Sequence, residues 1–208
     1  MKGRRSRAKS AADLFDRRKM ERGVRMFLEG MGPIVSARDL RETPRQVTRA
    51  WSEELLAGYR SGKAPRLEPL PETFADAVVV VRDIRFVSIC RHHLLPFTGK
   101  ASLAYLPGGR IAGFSSMARL VEALARRLQI QEDLSEQILD RLEASLAPLG
   151  TACLLEATHQ CMTCRGALQP GALVTTLRVR GVFQKVAALR KEIVALLQAP
   201  EEAMGRVS

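Results

Sequence analysis

Six of the seven cysteines and histidines in this 208-residue chain lie in two short windows. The windows are Ser88–Lys100, with Cys90, His92 and His93, and Thr158–Gly166, with His159, Cys161 and Cys164. Thiolate sulfur and imidazole nitrogen are the ligands that zinc prefers in proteins. We therefore interpret the two windows as parts of one zinc site. The alternative, that these are buried side chains with no shared task, is disfavoured by the clustering.

The composition fits one ordinary domain with a real core and an N-terminal appendage, because 46% of the residues are hydrophobic. No window reaches the apolar length of a membrane span. The basic N-terminus is not followed by an apolar signal segment. We therefore expect a cytoplasmic protein with no membrane partner, in which cysteines serve as metal ligands or catalytic groups more often than as disulfides.

The net charge of +11 is concentrated at the N-terminus, where residues 1–25 contribute +7. One interpretation is an arm that touches nucleic acid or another anion. We favour a solvated, partly disordered tail, because charged termini are commonly mobile. The first basic residues also lack the interleaved aromatic side chains on which bases stack. A nucleic-acid partner is therefore not expected.

The N-terminal part of the chain is predicted to be helical. Apolar residues at helical spacing predict a first helix over residues 11–30. Thr43 and Pro44 resemble an N-cap followed by proline at the first helical position, which predicts the start of a second helix. Three prolines and a glycine over residues 61–73 predict a linker.

From residue 77 onward the pattern is that of strands and two long helices. The predicted strands are Ala77–Val81, Phe86–Cys90, Ala101–Leu106, Cys153–Ala157 and Leu173–Val182, and a terminal helix is predicted over Ala187–Leu197. Pro107–Gly109 predicts a hairpin that leads into Arg110–Phe114. A helix is predicted from Ser115, and Asp133 with Glu136 forms a capping-box pattern for the next. This order predicts an α+β fold in which two helices cover one face of an antiparallel sheet.

The number of ligands decides what a zinc site does. Four protein ligands make a zinc site structural, whereas three leave a position for water and make it catalytic. Because there are six candidate ligands, the sequence leaves both kinds of site possible. In an extended segment His92 and His93 point to opposite sides, and only one can join Cys90 at the metal. A tight turn at Cys90 favours His93 and leaves the other histidine for proton transfer. Of His159 and Cys161, one can ligate while the other faces a substrate.

Five blocks of the sequence resemble the signature of the GTP cyclohydrolase I family. They are ETPRQVTRAW (Glu42–Trp51), DIRFVSICRHHLLPFTGKASLAYLP (Asp83–Pro107), GFSSMARLVE (Gly113–Glu122), LQIQEDLSEQI (Leu128–Ile138) and EATHQCMTCRG (Glu156–Gly166). The resemblance covers about residues 13–197. It implies N-terminal helices followed by a tunnelling fold with a four-stranded antiparallel sheet, assembled as a toroidal homodecamer with sites shared between subunits.

The resemblance also implies an activity. Water held by Zn²⁺ attacks C8 of the guanine of GTP, the imidazole ring opens, and C8 leaves as formate. The ribose then rearranges and a pyrazine ring closes. The product is 7,8-dihydroneopterin triphosphate, which serves pterin and tetrahydrofolate biosynthesis.

Individual roles follow from the resemblance position by position. The zinc ligands would be Cys90, His93 and Cys161, the catalytic histidines His92 and His159, the guanine contacts Gln131 and Glu132, and the phosphate and ribose contacts Ser115, Arg119, Arg165 and Arg49. A carboxylate suits the guanine edge because it accepts hydrogen bonds from N–H groups. Arginine suits phosphate because its donors form a planar, permanently charged fork.

Three positions depart from the family pattern. Arg91 stands where the family usually has Glu, Ser116 stands in place of a Lys, and Gln46 replaces an Arg that reaches the triphosphate from a neighbouring subunit. Each charge-assisted phosphate contact is worth about 1.5–3 kcal/mol, so losing two weakens triphosphate binding by about a hundredfold or more. We hypothesise that the phosphate end is remodelled, with Arg91 and Arg178 as replacement cations, or that the substrate is a less phosphorylated guanine nucleotide.

Cys164 has three interpretations. It could complete a structural site of three cysteines and one histidine. It could instead form a disulfide with Cys161 on oxidation, because C-x-x-C thiols are often redox-active. We favour a cysteine that neither binds the metal nor forms a disulfide, because the family site already has three ligands and a water.

The predicted domain order is a disordered basic tail over residues 1–12, a helical region with its linker over residues 13–73, and a tunnelling-fold catalytic domain over residues 74–208. Two rival functions stay open. One is a tunnelling-fold enzyme that acts on a related purine or pterin, or stops at a ring-opened formamidopyrimidine. The other is a zinc-stabilised module that binds nucleic acid through its tail, with a steep dependence on salt.

Overall fold

A computed structural model describes residues 14–60, 67–71 and 77–199. The described residues fall into two compact units, which divide between residues 64 and 65. The predicted tail over residues 1–12 and the predicted boundary between residues 73 and 74 lie outside the described residues, and both stay predictions. None of the described helices is long and apolar enough to cross a membrane.

The N-terminal unit consists of two helices followed by short helical turns. Helix α1 covers Arg17–Gly30 and helix α2 covers Ala37–Ala50. A 3-10 turn, Gly32–Ile34, lies between them, and a π-helical turn, Trp51–Leu55, follows α2. A further 3-10 turn over Ala57–Tyr59 ends the described part of this unit.

Helix α2 begins earlier than the sequence predicts. The Oγ of Ser36 accepts a hydrogen bond from the backbone N–H of Asp39, and the Asp39 carboxylate accepts one from the backbone N–H of Ser36. This reciprocal capping box satisfies two amide donors at the helix start. Pro44 lies buried inside the helix. The predicted start at Thr43 is therefore wrong, because the capping residues and not the proline set the boundary.

The second unit is built on a five-stranded sheet of order β5-β2-β3-β6-β7. Its strands and helices are β1 (Pro69–Pro71), β2 (Val79–Cys90), β3 (Pro96–Leu106), β4 (Arg110–Ala112), α3 (Phe114–Ala125), β5 (Leu128–Gln129), α4 (Gln131–Leu146), β6 (Gly150–His159), α5 (Gln160–Thr163), β7 (Val174–Gly181), α6 (Val182–Lys185) and α7 (Ala187–Gln198). The β2–β3, β3–β6 and β6–β7 pairs are antiparallel.

The sheet differs from the predicted one in two respects. The two-residue strand β5 pairs in parallel with the end of β2, which adds a fifth strand to the predicted four. A strand of this length gives no periodic signal in the sequence. The two strands predicted over residues 77–90 are one strand, β2, with a register shift between Val81 and Ile84, where Asp83 adopts a positive φ of 57°.

The predicted hairpin after Pro107–Gly109 is wrong. Strand β4 pairs with β1 in a separate two-stranded sheet and not with β3. Strand β1, which is the partner of β4, lies in the segment predicted as a linker. Its three residues are too few to show a strand pattern in the sequence. The hydroxyl of Tyr105 accepts a hydrogen bond from the backbone N–H of Ala112 at 3.0 Å and ties β4 to β3.

Helix α4 also begins before its predicted cap. Its N-cap is Ile130, which makes no side-chain capping bond, and Asp133 lies inside the first turn. The Asp133 carboxylate forms an ion pair with Arg91 instead of capping the helix. The prediction of a capping box at Asp133 and Glu136 is therefore wrong, because a tertiary contact uses the aspartate.

Helices cover both faces of the sheet. Helix α4 lies on the face that carries Thr151, whose hydroxyl donates to Glu143 at 2.9 Å. Neighbouring residues of a strand point to opposite faces. Ala152 therefore points the other way, and it packs with Ile193 and Leu197 of α7 in a buried apolar cluster. The sheet thus has helices on both faces, and the ends of β2 and β6, at Cys90 and His159, lead into the two cysteine–histidine windows.

Candidate active site

The first cysteine–histidine window forms a tight turn between β2 and β3. Strand β2 ends at Cys90, whose backbone N–H donates to the carbonyl of Leu95 at 2.9 Å. The carbonyl of Cys90 in turn accepts from the N–H of Leu94 at 2.9 Å, and Leu94 has a positive φ of 55°. This turn brings Nδ1 of His93 to 3.7 Å from the Sγ of Cys90.

The second window meets the first because β3 lies between β2 and β6. His159, the last residue of β6, is paired across the sheet with Phe97, near the start of β3. The chain then enters the short helix α5, which carries Cys161. Two segments about 70 residues apart thus converge at one end of the sheet.

The ligand atoms of Cys90, His93 and Cys161 all lie within 4.8 Å of one another. A tetrahedral zinc ion with Zn–S of about 2.3 Å and Zn–N of about 2.0 Å requires a sulfur–nitrogen separation of roughly 3.6 Å. The distance of 3.7 Å between Cys90 and His93 fits that requirement. Two thiols and an imidazole are also a donor set that zinc accepts, so these residues fit the metal that the sequence predicts.

The remaining candidates of the two windows lie beside this trio. The rings of His92 and His93 meet edge to face, with centroids 6.2 Å apart. Cys164 is exposed, and its Sγ donates to the carbonyl of Gln160 at 2.9 Å. It is not one of the three clustered ligands. The arrangement therefore favours three protein ligands over a structural site with four.

The thiol of Cys161 resists ionisation in the absence of a cation. Partial burial raises the pKa of Cys161, and the neighbouring Cys90 raises it further. The fourth cysteine, Cys153, is fully buried in β6, and burial raises the pKa of its thiol strongly. Cys153 therefore belongs to the core and is inert, whereas Cys161 needs a positive partner to become a thiolate.

His159 is held on two sides. Its ring stacks on Phe97 with centroids 4.4 Å apart and planes 4° from parallel. Its Nε2 lies 2.9 Å from Oε1 of Gln131. Burial lowers the pKa of His159, and the charge of Glu132 acts in the opposite direction. The imidazole is thus biased towards its neutral form.

The predicted guanine contacts begin helix α4. Gln131 is buried, and its amide is engaged with protein groups of β6 and β7. Glu132 is exposed. The sequence analysis did not identify Phe97, which lies within the block Asp83–Pro107, because an aromatic residue on a strand is typical of an ordinary core.

The predicted phosphate and ribose contacts are dispersed. Ser115 and Arg119 are exposed on the first turns of α3, and Arg119 lines a cleft of about 530 Å³ together with Arg85. Arg165 is exposed just after α5. Arg49 belongs to the N-terminal unit, where it forms an ion pair with Glu53 at 3.2 Å.

Neither of the two suggested replacement cations is free. Arg91 forms an ion pair with Asp133, and Arg178 forms one with Glu136 at 2.9 Å. Ser116, where the family resemblance implies a lysine, donates to the carbonyl of Gly113 at 2.5 Å. The hypothesis that Arg91 and Arg178 replace missing phosphate contacts therefore requires each arginine to leave or share its carboxylate partner.

The chain is similar to known proteins over most of its length. The family model of GTP cyclohydrolase I matches residues 20–198. Curated proteins named GTP cyclohydrolase 1 are similar over nearly their whole length. The one from Pelotomaculum thermopropionicum is 41% identical over 89% of this chain and 98% of its own length. Those from Aquifex aeolicus and Desulforamulus reducens are 42% and 43% identical over 88% of this chain and 97% and 98% of theirs. The chain is therefore an enzyme, a hydrolase of the GTP cyclohydrolase I family.

Proposed function

We propose that this protein opens the imidazole ring of GTP by zinc-dependent hydrolysis, releases formate and forms 7,8-dihydroneopterin triphosphate. The observation that carries the proposal is the convergence of Cys90, His93 and Cys161 beside two further histidines. Membership of this chain in the GTP cyclohydrolase I family supports the same proposal. A zinc-stabilised module that binds nucleic acid predicts four protein ligands, whereas three of the described residues converge here.

Cys90, His93 and Cys161 would hold the metal. Bound zinc supplies Lewis-acid activation of water at neutral pH. Three protein ligands leave room for that water, as catalytic zinc sites require. Cys164 donates to a backbone carbonyl and leaves this position open.

His92 and His159 would move protons between water and the purine. A histidine suits this task when it is neutral and able to accept a proton near physiological pH. Burial favours that state in His159 by lowering its pKa. Glu132 is exposed at the start of α4, and its carboxylate would accept hydrogen bonds from guanine N–H groups.

Ser115, Arg119, Arg165 and Arg49 would contact the ribose and phosphates, as arginine and hydroxyl donors commonly do. Because Arg91 and Arg178 are paired with carboxylates of α4, they supply little extra charge for a triphosphate. This pairing favours the second candidate, a divergent cyclohydrolase that uses a less phosphorylated guanine nucleotide or stops at a ring-opened formamidopyrimidine.

We also propose that the protein assembles as a toroidal homodecamer in the cytoplasm and serves pterin and tetrahydrofolate biosynthesis. Support for these points comes from the family alone. The mass of the zinc-loaded protein in solution, measured by light scattering, tests the assembly directly.

The decisive experiment incubates zinc-loaded protein separately with GTP, GDP, GMP and guanosine, and follows formate release together with pterin absorbance. The relative from P. thermopropionicum, assayed in parallel, is the reference. Both signals with GTP alone support the first candidate. Formate without pterin, a ring-opened formamidopyrimidine detected by mass spectrometry without formate, or activity only with GDP or GMP supports the second. Neither formate nor a ring-opened product with any of the four, when the reference protein is active, contradicts both.

We expect the affinity for zinc to rise steeply with pH. Both thiols must lose their protons on binding, and partial burial together with Cys90 raises the pKa of Cys161. Below the thiol pKa values the association constant should increase by up to about a hundredfold per pH unit, because up to two protons are released. Calorimetry between pH 6.5 and 8 in buffers of different ionisation enthalpy measures the number of protons. An affinity that does not change with pH would contradict ligation by thiolates.

A further inference from the structure

The side chain of Gln131 is buried at the start of α4 and is surrounded by polar partners. Its Nε2 lies 3.1 Å from the carbonyl oxygen of Leu155 and 3.0 Å from that of Val174. A third neighbour is the hydroxyl of Thr176, at 3.1 Å. Its Oε1 lies 2.9 Å from Nε2 of His159. One amide thus joins helix α4, strands β6 and β7, and a histidine of the candidate active site.

The chemistry of these partners fixes which way the amide points. Backbone carbonyls can only accept hydrogen bonds, so the amide atom that faces Leu155 and Val174 must be the NH₂ group. The carbonyl oxygen of the amide then faces His159, and it too can only accept. The hydrogen in this contact therefore belongs to Nε2 of His159.

A neutral imidazole carries one N–H, and its other nitrogen is an acceptor. With the hydrogen on Nε2, the acceptor is Nδ1. Stacking on Phe97, at a centroid distance of 4.4 Å, holds the plane of the ring while the amide holds its edge. Turning the ring over would lose the bond to Gln131 and leave a buried amide oxygen unsatisfied, which is costly.

We propose that Gln131 is a positioning residue that fixes His159 as the Nε2–H tautomer and so leaves Nδ1 as the hydrogen-bond acceptor of the ring. The reaction itself rests on the proposed function, whereas the tautomer does not. A hydrogen bond that sets the tautomer of a catalytic histidine is a recognised way to control proton transfer.

This role differs from the one that the family resemblance implies for Gln131. Both N–H groups of its amide are committed to acceptors within the protein, so the side chain has no free donor for a base. The guanine edge is then left to Glu132, the exposed neighbour. Gln131 acts on the substrate only through His159.

The tautomer can be observed directly. The chain has only three histidines, so protein labelled with ¹⁵N at histidine gives few side-chain signals in solid-state NMR, which assembly size does not limit. The experiment uses the full zinc-loaded chain, and His159→Asn identifies the signals of His159. We expect a single Nε2–H tautomer in the unmodified protein and a mixture of tautomers in Gln131→Leu. A single Nδ1–H tautomer in the unmodified protein, or an unchanged spectrum in Gln131→Leu, would overturn the proposal.

Gln129 provides a matched control. It is equally buried, and its amide donates to the carbonyl of Leu124 at 2.9 Å and to Gln137 at 3.0 Å, away from His159. Gln129→Leu should therefore leave the His159 tautomer unchanged although it also removes a buried amide. If Gln131→Leu does not fold, Gln131→Met replaces it, and the spectrum of the unmodified protein still decides the tautomer.

Kinetics separate this inference from the proposed function. We expect Gln131→Leu to lower kcat for formate release by about a hundredfold, the scale of general acid–base catalysis. KM should change little. A rise in KM at constant kcat would overturn the positioning role and favour a direct guanine contact. If the unmodified protein has the Nε2–H tautomer but gives neither formate nor a ring-opened product from any nucleotide, the tautomer assignment stands and the proposed function fails.

Discussion

Replacing Cys161 with serine is expected to abolish both zinc retention and formate release. Serine cannot supply a thiolate, and its hydroxyl is a poor zinc ligand at neutral pH. Loss of an outer-shell partner alone costs about 10–100-fold in metal affinity, so loss of a direct ligand should exceed a hundredfold. Zinc content after dialysis against a weak chelator, measured with formate release on the same sample, provides the test.

Cys164→Ser is the matched control for this substitution. Cys164 lies three residues further along, is exposed, and uses its Sγ only to donate to a backbone carbonyl, which a serine hydroxyl can also do. We expect its zinc content and activity to stay within about twofold of the unmodified protein, as is usual for surface substitutions. The reverse pattern, with zinc lost from the Cys164 variant and kept by the Cys161 variant, would assign the third ligand to Cys164.

Gly99→Ala is expected to destabilise the sheet strongly. A Cβ atom at Gly99 would lie 2.0 Å from the carbonyl oxygen of Glu156 and 2.7 Å from the Cα of Ala157. Both are backbone atoms of β6, so relief requires the strands to separate. Overpacking of this kind costs about 3 kcal/mol. At about 2–4 °C per kcal/mol, the thermal transition should fall by roughly 6–12 °C.

Gly171→Ala is the control, because a Cβ there would meet nothing within 4 Å. Its thermal transition should stay within about 2 °C of the unmodified protein. The clash at Gly99 lies two residues before His159 in the register of β3 and β6, so activity should fall in the surviving folded protein. Equal thermal transitions for the two variants would contradict the close approach of β3 to β6.

The family resemblance and the α+β class could be read from the sequence because both depend on residues that stand close together in the chain. The turn from Cys90 to His93 is such a case, since a spacing of three residues limits the ligand geometry locally. Helix α7 was likewise visible as a run of apolar residues.

The errors share a physical cause, which is that distant contacts override local signals. Asp133 resembles a cap but pairs with Arg91, and Pro44 resembles a helix start although Ser36 caps the helix. Strand β4 pairs with β1, a three-residue segment too short to carry a pattern. Phe97 and the amide contacts of Gln131 depend on strand register, which local spacing does not reveal.

Two of the three ligands lie in one local turn and the third lies in a distant segment. The three are therefore expected to come together in two steps during folding. The turn that holds Cys90 and His93 closes a very short loop and forms readily. Cys161 arrives only after β6 has paired with β3, a contact between residues far apart in the chain that forms slowly. A partly folded chain can thus offer a metal only two of the three ligands. Tight metal capture therefore marks a chain in which β3 and β6 are paired.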